Sequence, residues 1–154
     1  MAVAALAGTG VCLTAASGAT PAKARRVIGI TVSQGMAGVR LGDDASVVER
    51  RLGKPRRVAA PVWSYRYGLA VGFDYWGHVD DMAVSSSTIR TATGIGPGST
   101  PRELRRRYPR ARCYPMRMQS VRPFCFVRSR YRGRGVESDF LFGKGLKQID
   151  IYYR

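Results

Sequence analysis

One short pattern occurs twice in this chain, and that repetition constrains the fold more than any other feature. Residues 39–53 and 95–109 align at a spacing of 56: Gly42 falls on Gly98, Asp44 on Thr100, Val48 on Leu104 and Leu52 on Tyr108. Both stretches spell the start of a helix. Thr100 stands at an N-cap, Pro101 at the first helical position, and Glu103 completes a capping box. Asp44 occupies the same cap position in the first stretch. Val48 with Leu52, and Leu104 with Tyr108, share a helix face. Gly53 with Pro55 ends the first helix and Pro109 the second. Helices of about two turns do not hold in isolation, so each must pack on a sheet.

Strand-like alternation follows each helix. In the first half it covers residues 62–67, 69–75 and 79–84, with turns at Gly68 and at Trp76-Gly77-His78. In the second it covers 123–128, 136–142 and 146–152. Here the spacing is 67: Phe73 meets Phe140, Tyr75 meets Phe142, Val79 meets Leu146, Met82 meets Ile149 and Val84 meets Ile151. The increase of 11, from 56 to 67, places an insertion between Pro109 and Val136. The expected fold is α+β: two tandem repeats, each a short helix packed on a three-stranded antiparallel sheet. The units are 39–84 and 95–154, the second carrying the inserted loop. Residues 85–94 are a linker or edge strand, and 25–38 an N-terminal arm.

The first 24 residues read as a removable signal peptide. Residues 1–20 are uncharged and rich in Ala, Gly and Thr, and Ala22 and Ala24 supply the small side chains that signal peptidase needs. Cleavage is expected after Ala24, giving a secreted protein without a transmembrane helix; the alternative is an uncleaved anchor. Removal of the leader takes Cys12 with it and leaves Cys113 and Cys125, an even pair suited to an oxidising compartment. Their pairing would close the inserted loop; the alternative is two buried free thiols.

The twice-given pattern of glycine, cap, short helix and Leu52-Gly53-Lys54-Pro55, followed by aromatic strands, resembles the β-lactamase-inhibitor-protein-like fold group. Small outer-membrane-assembly lipoproteins share that fold. The resemblance covers most of residues 39–152 and implies an exported, non-catalytic protein that binds other proteins through an aromatic-rich sheet. It thereby singles out Trp63, Tyr65, Tyr67, Phe73 and Tyr75 as partner contacts, with packing on the helix as the alternative role. The inhibitory activity itself does not carry over. A site that accepts anionic substrates is electropositive, and so is this chain, whose net charge is +16.

The residues offer little for catalysis. His78 is the single histidine and sits in a turn, so a small hydrolase is the weakest reading. One histidine and two paired cysteines make no zinc site, and no metal or small-molecule cofactor is expected. Basic residues are the stronger feature. Twelve arginines lie between Arg102 and Arg134, with Glu103 the only acid among them. Arg105 and Arg106 fall on the outer side of the second helix, and Arg128, Arg130, Arg132 and Arg134 alternate along a strand and turn. Guanidinium groups beside tyrosines suit phosphate or carboxylate. The leading expectation is a secreted binding module for an extracellular or cell-envelope protein. The alternative is an anion-binding protein for wall polymer, membrane phosphate or nucleic acid.

Overall fold

The computed structural model describes residues 28–85, 87–114 and 123–154. The expected signal peptide, the first residues of the arm, position 86 of the linker and most of the inserted loop lie outside the described residues. Fourteen elements follow one another: β1 (Ile28–Thr31), β2 (Gly35–Met36), β3 (Val39–Arg40), α1 (Ala45–Leu52), β4 (Arg57–Ala59), β5 (Val62–Ser64), β6 (Leu69–Phe73), β7 (Val79–Val84), β8 (Ile89–Thr91), α2 (Pro101–Arg107), β9 (Arg112–Tyr114), β10 (Phe124–Tyr131), β11 (Arg134–Gly143) and β12 (Gly145–Tyr153).

The architecture is mixed α+β, with two helices and two sheets. The larger sheet has eight antiparallel strands in the order β4-β5-β6-β7-β12-β11-β10-β9. The smaller has the order β3-β2-β1-β8, with β8 paired parallel to β1 at its edge. The expected three strands per half are therefore four. The additional strands, β4 and β9, are three residues each and form the two edges of the large sheet.

Both helices form where the sequence places them, but their caps differ. Thr100 Oγ1 accepts from the Glu103 N–H at 3.2 Å, and Glu103 Oε2 accepts from the Thr100 N–H at 2.8 Å, a complete capping box. Asp44 holds the equivalent position without a side-chain cap bond. Its carboxylate turns instead to His78 Nε2, 3.3 Å away.

Val48 of α1 and Leu104 of α2 are fully buried in one core with Ile30, Met36 and Ile89 of the small sheet and Val71, Met82, Val84, Phe140, Ile149 and Ile151 of the large one. The helices and the small sheet thus cover the same face of the large sheet. The buried Ser138 hydroxyl on that face accepts from the Ser33 N–H at 2.9 Å, tying the two sheets together.

The chain leaves strand geometry after Ser64. Residues 66–68 form a single 3₁₀ turn in which Tyr67 adopts φ 62°, a left-handed conformation unusual for a residue with a Cβ. The alternation expected through residue 67 therefore stops three residues early. Cys113 and Cys125 stand directly opposite each other in β9 and β10 and are joined by a disulfide.

Candidate functional site: the open face of the large sheet

Successive residues of a strand point to opposite faces, so cross-strand partners identify which side chains share the face away from the helices. One row across it runs Arg112, Phe126, Asp139, Asp150, Ala83, Ala70, Ser64 and Arg57. The neighbouring row carries Arg128, Glu137, Tyr152, Asp81 and Gly72. Another row carries Tyr114, Phe124, Leu141 and Gln148. The helices and the small sheet share the core on the opposite face.

Two chemistries divide this face. At the β9–β10 edge, three rings form a pile: Tyr114 stacks on Phe124 (centroids 5.5 Å apart) and on Phe126 (5.8 Å). The Arg128 guanidinium lies over the Phe126 ring, 4.4 Å from its centroid. Tyr114 keeps 46% of its surface exposed, whereas Phe126 is buried.

Toward the centre, acids gather in an otherwise basic chain. Arg128 pairs with Glu137, and Arg154 Nε lies 3.8 Å from the same carboxylate. Burial would raise Glu137, but Arg128, Tyr152 and Arg154 outweigh it and hold it below the usual range. Tyr152 Oη lies 3.0 Å from Glu137 Oε1 and 3.2 Å from Asp139 Oδ2. It has one proton for two carboxylates. That hydroxyl is placed to donate to either, and its bond to Asp139 lowers the carboxyl too little to offset burial and the charge of Glu137.

Asp139 responds accordingly. Burial, then the charge of Glu137, raises it to about 6. Its Oδ1 is buried without a hydrogen-bond partner among the described residues. Asp150 stands opposite Asp139 and is raised by burial despite bonds from Gln148 Nε2 at 2.8 and 3.1 Å. Asp81 is raised by burial and by Asp80. Together these groups form a polar strip flanked by an aromatic and cationic edge.

The five aromatic residues singled out from sequence do not form one surface. Trp63 and Phe73 meet edge-to-face, centroids 4.7 Å apart, and with Tyr65 pack partly buried against the core on the helix side. Tyr67 and Tyr75 are exposed, Tyr75 almost wholly, beside the exposed Trp76.

The arginines also separate. Arg128 and Arg130 lie on the open-face side of β10, Arg130 donating to the Gly133 carbonyl at 2.9 Å. Arg132 donates to the Gly42 carbonyl at 3.1 Å and faces Asp43, while Arg134 covers the Tyr153 ring and lies 3.5 Å from Asp80. Arg105 and Arg106 are exposed in the last turn of α2.

His78 sits half-exposed between Asp44 and Asp74, its Nδ1 3.5 Å from Asp74 Oδ2, fastening the turn to the start of α1. Among the described residues, no group of three His, Cys, Asp or Glu is placed to hold a metal ion. None of the described helices is long and apolar enough to cross a membrane.

Comparison with known proteins supplies a fold likeness. No protein-family model and no curated protein matches the chain. The crystal structure of a DUF4309 family protein (YjgB) from Bacillus subtilis matches with a TM-score of 0.51 at 15% identity, over 76% of this chain and 83% of that one. At that identity the likeness concerns the fold alone.

Proposed function

We propose that this chain is an exported, non-catalytic binding module that engages an extracellular or envelope protein through the open face of its large sheet. The observation that carries this reading is the Tyr114–Phe124–Phe126 pile capped by Arg128, beside a hydrogen-bonded acidic strip. Stacked rings beside Arg, next to fixed polar groups, are the composition from which interface anchors are drawn. The Cys113–Cys125 bridge is compatible with an oxidising destination.

We further propose that the domain consists of two copies of one unit, a helix followed by four strands, and so resembles the tandem-repeat β-lactamase-inhibitor-protein-like group. Support comes from contacts that recur at matching positions. The Val79 N–H donates to the Asp43 carbonyl, and the Leu146 N–H to the Ser99 carbonyl. The Phe73 N–H donates to Pro61, and the Phe142 N–H to Pro123. At the centre, Val84 pairs with Ile149 and Met82 with Ile151, as a two-fold relation with a spacing of 67 requires. This correspondence aligns Phe73 with Phe142 rather than Phe140.

The test uses the secreted protein and its Tyr114→Ser/Phe124→Ser variant. Partner capture from the producing cells' envelope fraction should fall at least tenfold in the variant and persist at 0.5 M salt (about five times the ionic strength that already screens exposed charges beyond ~10 Å). Capture unaffected by the variant, or abolished by salt, would instead favour polyanion binding through exposed arginines such as Arg105 and Arg106.

A further inference from the structure

We infer that the cavity between α1, β1 and the 3₁₀ turn is a binding site for a small anionic amphiphile, a carboxylate or phosphate head on an apolar tail. The cavity measures about 490 Å³, within the range of small-molecule sites. Four cations line it, Arg51, Lys54, Arg56 and Arg66, and no carboxylate does. Arg51 is engaged with the Gly38 carbonyl and Asp43. Lys54, Arg56 and Arg66 are exposed and have no ion pair among the described residues, so their charge is available to a ligand.

The remainder of the lining suits a tail. Ile28, Leu52 and Leu69 supply aliphatic surface, and Leu69 and Ile28 belong to the protein core. Tyr65 also lines the cavity, with its hydroxyl buried away from solvent. Tyr67 contributes a half-exposed ring from a left-handed backbone conformation, the sort of strain that persists where a side chain is held for a purpose. A basic surface alone would accept any anion; the aliphatic wall selects one with an apolar body.

Calorimetric titration of the full chain tests this with decanoate below its micellar concentration. Decyltrimethylammonium, inorganic phosphate and phosphatidylglycerol vesicles serve as comparison probes. One decanoate per chain is expected, at least tenfold tighter than either the cationic amphiphile or phosphate. Arg56→Gln/Arg66→Gln should weaken it at least tenfold. Arg105→Gln/Arg106→Gln, which removes the same charge from α2, should leave it unchanged. Circular dichroism checks that each variant folds. Equal binding of both amphiphiles, equal loss in the two arginine pairs, or phosphate as tight as decanoate would overturn the assignment. So would binding to the vesicles without binding to free decanoate, which would put the anion at a membrane surface.

Discussion

Replacing Asp139 by Asn should stabilise the protein at neutral pH and lose that advantage in acid. Asp139 is held at about 6 in the folded chain against an ordinary 3.8. A carboxyl raised on folding binds its proton more tightly in the native state. The sign follows: its contribution to stability is complete below 3.8, declines as pH rises toward 6, and is a constant penalty above that. At 1.36 kcal/mol per pKa unit the full penalty is about 3 kcal/mol, and solvent screening at this partly exposed position reduces it to about 1.5 kcal/mol. Asparagine keeps the shape, carries no charge, and has a side-chain carbonyl that can accept from the Tyr152 hydroxyl. Urea unfolding of both proteins at pH 4 and pH 7.5, disulfide intact, measures the difference. The expected result is a variant more stable by about 1–2 kcal/mol at pH 7.5 and equal within error at pH 4. A variant equally or less stable at both pH values would refute the reasoning, because it would show that the native carboxylate is not penalised.

Reducing Cys113–Cys125, whose partners are 12 residues apart, should cost roughly 2–3 kcal/mol, read as a shift in urea midpoint with dithiothreitol. Thr100→Ala breaks a complete capping box and should cost about 1 kcal/mol. Asp44→Ala removes no cap bond and should cost clearly less in the same assay. Intact-mass measurement of the protein from culture medium should give a chain beginning at Arg25, two hydrogens lighter before reduction than after. A full-length reduced chain confined to cells would contradict export.

The helix starts were legible because cap chemistry is local: Thr100, Pro101 and Glu103 specify a turn whatever surrounds them. The long strands were legible from their alternation. The edges β4 and β9 were not, since three residues carry too little periodicity. Alternation also separates two faces without saying which is covered. Trp63 and Phe73 therefore stood out by residue type, although they lie on the helix side. A signal for the open face was present in Glu137, Asp139, Gln148, Asp150 and Tyr152, polar groups at every second position of two long strands. Their chemistry emerges only from register, which sets Glu137 against Tyr152 and Asp139 against Asp150.

The most direct test of the open-face reading is site-specific photocrosslinking in the producing cells, with a benzophenone side chain placed at Tyr114 or, separately, at Arg105 on α2. The expected result is a discrete protein adduct from position 114 alone, suppressed by excess unlabelled protein and retained at high salt. Adducts of equal yield from both positions, or adducts only to polyanionic material that disappear with salt, would contradict it.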